Sequence, residues 1–269
     1  MRTPFVLLPI LVTSLLGAEG PIVHQPGEAS ASVSPELALA RLQEGNAAFL
    51  AGHLDISHMT AARRVEVATG QHPFAAILSC ADSRVPPEFL FDQGLGDLFP
   101  VRVAGAVAEP GAMGSLEYAV GHLGVRLVVV MGHTSCGAVK AAMDTPRPAK
   151  LTPTQANLES LLSLIRPALP NAALGGDPWT EAVRASVEQT RIDLSHHSPV
   201  LEELARSGKI WIVGAVYNLA SGKVTFGSTP VLAWVPEPIV PRAKPKAAPV
   251  VHAKVETSAA KPKPHHTEE

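Results

Sequence analysis

The chain has 269 residues, is 46% hydrophobic and carries a formal net charge of −2. That length allows one large domain or two small ones, and the near-neutral balance gives no electrostatic footprint for nucleic acid. Aromatics are only 4% of the residues, so the core must be built from Ala, Val, Leu and Ile. Arg2 gives a positive start, Phe5 to Leu16 is an apolar run interrupted by Pro9, and Leu16-Gly17-Ala18 offers a cleavage site. Residues 1–18 read as a secretory signal. The run is shorter than the roughly 20 residues of a membrane span, although an uncleaved anchor is the alternative. No cysteine follows it, so a lipobox is absent. The expected product is a bacterial periplasmic or secreted protein with no stable membrane insertion after cleavage.

Residues 19–33 read as a linker. Ser34-Pro35-Glu36 has the form of a helix start, with Ser34 as N-cap and Pro35 in the first turn. Leu37, Leu39, Leu42, Phe49 and Leu50 make an imperfect helical stripe, and Gly52 is a natural stop. Residues 53–70 are polar, a helix with loops in which Arg63 and Arg64 form a solvated face. Phe74 to Leu78 is a buried strand. Pro86-Pro87-Glu88 opens a helical segment that ends near Gly94, and Leu98 to Val103 is a second strand, whose Arg102 is expected to pair with an acid. A helix over Gly114 to Leu123 leads into Val125 to Met131, a β-branched buried strand. Ser135 to Met143 begins another helix, and Thr145 to Pro153 is a surface loop. Helices follow over Ala156 to Leu164, Thr180 to Leu194 and Pro199 to Arg206, then a hairpin over Ile210 to Tyr217 and Lys223 to Phe226. The folded domain is expected over residues 34–235. The Pro/Lys/Ala-rich tail, residues 236–269, cannot bury enough apolar surface to fold.

The chemistry gathers at two strand ends. Cys80-Ala81-Asp82-Ser83-Arg84 follows the first strand and is stopped by Val85-Pro86-Pro87. In an open α/β sheet, the carboxyl ends of strands are where ligands bind. If the segment stays extended, Cys80, Asp82 and Arg84 share a face. Gly132-His133-Thr134-Ser135-Cys136-Gly137 follows the third strand, with His133 and Cys136 three residues apart on the turn into a helix. The only two cysteines are therefore each placed just past a strand. Two thiolates and one imidazole suit Zn²⁺, and three protein ligands with an open fourth position is the pattern of a catalytic site. A disulfide between the two cysteines of an exported protein is the rival.

These motifs, with Phe91 to Phe99, Val101 to Gly105, Gly114 to Val120 and Val213 to Tyr217, resemble the β-class carbonic anhydrases over roughly residues 34 to 230. The resemblance implies a single α/β domain with a mostly parallel sheet of four or five strands flanked by helices. It implies reversible hydration of CO₂ to bicarbonate and a proton by one zinc per chain on Cys80, His133 and Cys136. Asp82 would accept a hydrogen bond from the nucleophile, and Arg84 would hold Asp82 away from the metal. A broken pair would let Asp82 ligate zinc and close the site. The closed, bicarbonate-regulated branch usually carries a Trp just before the cysteine motif. Phe74 to Ser79 has none, so the open form is expected at neutral pH. Gln71, nine residues before Cys80, has the spacing of a glutamine that bonds bicarbonate or CO₂. Phe99 aligns with an apolar pocket residue, and the backbone N–H of Gly137 is placed for an anion contact.

The resemblance also implies an obligate homodimer or a tetramer, with N-terminal helices exchanged and Gln71 near the partner's zinc. Two departures stand out. Ala106 replaces the usual Asn, and a pocket tyrosine of plant-like members finds no counterpart. No proton shuttle can be singled out; His53, His58, His72 and His122 are candidates by type only. Rival functions are hydrolysis of carbon disulfide or carbonyl sulfide on the same zinc, and a non-catalytic zinc- or disulfide-stabilised exported protein.

Overall fold

The structure, a computed structural model, describes residues 33–169 and 176–227. The expected signal segment, the linker up to Ser32 and the C-terminal tail lie outside these residues. Five strands form one sheet: β1 (Ala75–Ser79), β2 (Leu98–Arg102), β3 (Leu127–His133), β4 (Trp211–Tyr217) and β5 (Val224–Phe226). Their order is β2-β1-β3-β4-β5. The first four run parallel, and β5 returns antiparallel as the second arm of a hairpin. Every residue of β1 and β3 is buried, as expected for central parallel strands covered on both faces.

Among the described residues, eight α-helices flank the sheet: α1 (Pro35–Ala51), α2 (Ala61–Glu66), α3 (Pro87–Leu90), α4 (Pro110–His122), α5 (Gly137–Asp144), α6 (Ala156–Ile165), α7 (Pro178–His197) and α8 (Pro199–Arg206). The strand period of two sorts side chains between two cores. Ala75, Ile77, Leu127, Val129 and Met131 pack with Leu42 of α1 and Leu90 of α3. Ala76, Leu78, Val128, Val130 and Ile212 pack with Leu116 of α4, Leu194 of α7 and Leu201 of α8. A third cluster joins Cys80, Cys136, Val139, Leu162, Ile165 and Val183, so α5, α6 and the start of α7 roof the carboxyl ends of β1 and β3. No helix among the described residues is long and apolar enough to cross a membrane.

The expected elements are present with shifted ends. β3 runs two residues beyond Met131, because its ladder to β4 continues through Gly132↔Val216 and His133↔Tyr217. This places His133 at the last strand position rather than on the turn. Gly132 permits that continuation, since a Cβ there would stand 2.6 Å from Val187 of α7. α4 starts at Pro110, four residues earlier than Gly114, because the Glu109 side chain caps it by accepting from the Ala112 amide. The α1 start is as expected: Ser34 accepts from the Leu37 amide, and Gly52 ends the helix at φ 71°.

Two readings of the N-terminal region need correction. Leu37 and Leu50 of the apolar stripe on α1 are exposed. The buried face is carried instead by Ala38, Leu42, Gly45 and Asn46. A Cβ at Gly45 would lie 1.7 Å from the Phe91 carbonyl oxygen, so only glycine lets α1 approach the end of α3. Arg63 is not a solvated cation: it donates to Asp97 at 3.0 Å, to the Leu95 carbonyl at 3.0 Å and to Glu66 at 2.7 Å.

Asn46 is the buried fastener of α1. Its Nδ2 donates to the carbonyls of Leu90 and Gly222, both at 3.0 Å, and its Oδ1 accepts from the Val224 amide at 2.9 Å. Removing the amide orphans three backbone groups, so Asn46→Ala is expected to lower unfolding free energy by about 2–4 kcal/mol. Chemical denaturation with coincident fluorescence and circular dichroism transitions measures this.

Candidate metal centre and active site

Cys80 follows the last residue of β1, and His133 is the last residue of the neighbouring β3. Parallel pairing brings the two ends together. Cys136 then caps the start of α5. The turn that returns the chain from His133 to Cys136 passes through Ser135 at φ 57°. The Cys80 and Cys136 sulfurs are 4.0 Å apart and both cysteines are free. A disulfide needs about 2.05 Å, so the disulfide rival fails. The two sulfurs and a ring nitrogen of His133 all lie within 4.8 Å of one another, and all three residues are buried.

The protonation pattern fits a cation. His133 Nδ1 donates to the Thr134 carbonyl at 2.9 Å, which fixes the tautomer and leaves the Nε2 lone pair free. Nε2 is buried and has no hydrogen-bond partner. The Cys80 thiol is lowered to about 4, first by the hydrogen bond from Cys136. Its sulfur also accepts from the Gly105 amide at 3.3 Å. The Cys136 thiol is pushed up, first by that same bond to Cys80 and then by burial. The two sulfurs and the orphaned imidazole nitrogen could together hold a divalent ion, and the S₂N donor set matches zinc. The enclosing cavity is about 10 Å³, lined also by Val139 and by Val183, Ser186 and Val187 of α7. A larger cavity of about 440 Å³ lies between α7 and the β4–β5 hairpin; no Cys or His lines it.

Beside the donors, Asp82 and Arg84 form a fork. Arg84 donates from Nε to Oδ1 at 2.9 Å and from Nη2 to Oδ2 at 2.7 Å, and its backbone amide also reaches Oδ1 at 2.9 Å. The Arg84 guanidinium, ahead of any other cause, holds the Asp82 carboxyl well below the usual carboxylate range. Oδ2 stands 3.8 Å from His133 Nε2. The carboxylate thus faces the donor group on one side and Arg84 on the other.

Comparison with known proteins agrees with this geometry. Residues 75–224 match the family described as Carbonic anhydrase. Carbonic anhydrase 2 of Mycobacterium tuberculosis is 37% identical over 196 residues, covering 71% of this chain and 92% of that one. The β-carbonic anhydrase of Coccomyxa, solved in complex with acetazolamide, is 27% identical at a TM-score of 0.55, covering 66% of this chain and 88% of that one. One of two tetrameric β-carbonic anhydrases from Sordaria macrospora is 22% identical and shares the fold at a TM-score of 0.55, covering 71% of this chain and 97% of that one.

The chain belongs to the β-class carbonic anhydrase family. It is an enzyme, and its reaction is the reversible hydration of CO₂ to bicarbonate and a proton.

The structure distributes the other residues suggested for the carbonic anhydrase site. Gln71 is exposed and precedes β1, so the whole strand separates it from Cys80. Phe99 pairs with Ala76 near the start of β2, and the cavity at the donors is not lined by it. Neither residue joins its own chain's site. Gly137 opens α5 on the exposed surface, one residue past Cys136. The amides that lower Cys136 are those of Val139 and Ala138.

Arg102 was expected to pair with an acid; it donates instead to the Cys80 carbonyl at 3.2 Å and the Asp82 carbonyl at 2.6 Å. Of the chain's two tyrosines, Tyr217 is buried, while Tyr118 is half-exposed on α4 with its ring 6.3 Å from Phe99. Neither tyrosine lines the cavity at the donors. Pattern reading also missed α7 as a wall of the site. Its signal was the i, i+4 pair Val183 and Val187.

Ala106 sits at φ 54°, directly after Gly105 at φ 78°. Asn tolerates this left-handed region and Ala does not. The strain, about 1 kcal/mol, is offset by the buried methyl, worth about 0.8 kcal/mol. Ala106→Gly is therefore expected to change unfolding free energy by less than about 1 kcal/mol, as read from denaturant titration.

Proposed function

We propose that this carbonic anhydrase binds one zinc ion per chain through Cys80 Sγ, His133 Nε2 and Cys136 Sγ, with Asp82 orienting the nucleophile and Arg84 holding Asp82. The observation that carries this is the buried, unpartnered His133 Nε2 within 4.8 Å of two buried, unbridged cysteine sulfurs. Bound zinc supplies water acidified to near neutral pH and polarises oxygen. The rest falls to the chain. Asp82, ionised across the physiological range, can only accept a hydrogen bond. The attacking oxygen would therefore keep its remaining O–H and donate it in a hydrogen bond to Oδ2, which leaves a lone pair turned toward CO₂. Arg84 keeps both carboxylate oxygens occupied by a bidentate fork, so Asp82 stays out of the ligand set. That arrangement supports the open form at neutral pH. The thiolates offset the charge of the ion, which makes the orienting carboxylate more important than in an all-histidine site.

We also propose a homodimer as the working unit, a tetramer being its doubled form. Leu54, Ile56, Val65, Phe89 and Leu95 are exposed apolar residues on or near the arm from α1 to α3 and its following loop. Gln71 and Phe99 lie at the end of the sheet opposite their own Cys80. If they serve a site, it is a second copy's. The Sordaria relative is tetrameric by its description. The chain's N-terminal pattern further supports export to the periplasm or outside the cell, where zinc would protect the two thiols from oxidation.

Metal analysis of purified protein with stopped-flow CO₂ hydration at neutral pH tests the site. One zinc per chain is expected, lost in Cys136→Ser. Asp82→Asn should retain zinc and lower kcat/KM by about 100-fold or more. Zinc without CO₂ turnover in the wild-type chain would instead favour a sulfur-containing substrate or a closed site. For the assembly, Ile56→Asp with Val65→Asp is expected to shift the sedimentation-equilibrium mass to that of a monomer and abolish turnover. Mass spectrometry of exported protein should find Glu19 as the first residue.

A further inference from the structure

Each cysteine of the metal centre has its own main-chain carbonyl held by a distant side chain. On one side, Arg102 at the end of β2 reaches across to β1 and donates from Nε to the Cys80 carbonyl at 3.2 Å. Its Nη2 reaches the Asp82 carbonyl at 2.6 Å. On the other side, Trp179 at the start of α7 donates its indole N–H to the Cys136 carbonyl at 2.9 Å. That carbonyl already receives the Lys140 amide at 3.0 Å as the first helical bond of α5. The indole bond is therefore additional to what the helix requires. Trp179 is itself fixed: Lys140 Nζ stands 5.9 Å from its ring centre, and the ring packs against the cluster containing both cysteines. Asp177 anchors its helix turn by accepting from the Thr180 amide at 3.0 Å.

We infer that Arg102 and Trp179 are positioning residues, which aim the two thiolates at the metal by clamping the carbonyls of Cys80 and Cys136. The chemistry is direct. A cysteine has one side-chain torsion between its main chain and its sulfur. Once its peptide plane is fixed, the sulfur can occupy only three staggered places. Two sulfurs 4.0 Å apart are set for one ion only if both planes are held. The ligands lie on loops rather than inside strands, except His133, which the β3–β4 ladder holds directly. The clamps supply for the cysteines what the ladder supplies for the histidine. Arg102 has a second effect through the Asp82 carbonyl, because the same guanidinium sets the plane from which the Asp82 side chain departs.

This inference rests on the proposed metal site, and the test separates the two. Trp179→Phe keeps the ring packing and removes only the N–H. Arg102→Met removes both donors, and Arg102→Lys restores one. Zn²⁺ affinity is measured by competition with a chromophoric chelator, and Co²⁺ loading is followed by the thiolate-to-metal absorption bands. Thermal melting of the metal-free proteins runs in parallel. Trp179→Phe and Arg102→Met are each expected to bind Zn²⁺ about tenfold to a hundredfold more weakly, with shifted Co²⁺ bands and metal-free melting close to that of the parent. Arg102→Lys should recover part of the loss. Wild-type affinity and unchanged Co²⁺ bands in both variants would overturn the inference, as would an affinity loss matched by collapse of the metal-free fold. Failure of the unaltered protein to bind Zn²⁺ one to one would bring down the metal site itself.

Discussion

Two buried sulfurs can both be thiolates beside a bare imidazole nitrogen, within a few ångströms of low-dielectric space, only with a positive charge between them. Desolvation opposes each thiolate, and Coulomb repulsion is strong where water is excluded. A divalent cation would supply that charge. Most of the architecture around the site follows from this requirement. The β1–β3 pairing brings the donors together, α5, α6 and α7 exclude water above them, and the Gly105 amide and the first amides of α5 direct partial positive charge at the sulfurs.

The placement of Asp82 is a second consequence. A carboxylate beside two thiolates would ordinarily be forced to protonate or to bind the metal. Arg84 prevents both, and it does so from two residues away on the same loop. The acceptor and its restraint therefore travel as one rigid unit. Arg102 fastens that unit to β2 through the main chain.

Much of this was legible in the linear sequence because the decisive residues are local. The zinc ligands, Asp82 and Arg84 fall in two short motifs after apolar runs, and Phe74–Ser79 and Val125–Met131 reveal the strands by composition alone. The helix start was readable at Ser34, where a Ser precedes a Pro, and less so at Asp177, where the helix begins at Pro178 rather than Thr180, and at Glu109, whose longer side chain is not a usual cap. What stayed hidden was long-range. Nothing in the neighbourhood of Arg102 says that its guanidinium will seek carbonyls rather than a carboxylate. Asn46 and Gly45 interrupt the hydrophobic period of α1, so the apolar stripe took in Leu37 and Leu50, which are exposed, beside Leu39, Leu42 and Phe49, which pack on the core. Trp179 comes to matter only through the placement of an element far from Cys136 in sequence.

Asn46 has a meaning beyond fastening one helix. Its partners at Gly222 and Val224 stand 176 and 178 positions further along the chain. The first helix of the domain is thus completed by its last strand. Pairings of this sequence distance must overcome the entropy of closing most of the described domain into a loop before they return any stabilisation. During synthesis the earliest helix waits, with its buried amide unpartnered, until the hairpin has emerged. Folding of this domain is in that sense sealed from the end, and an incomplete chain has no way to reach the native state early.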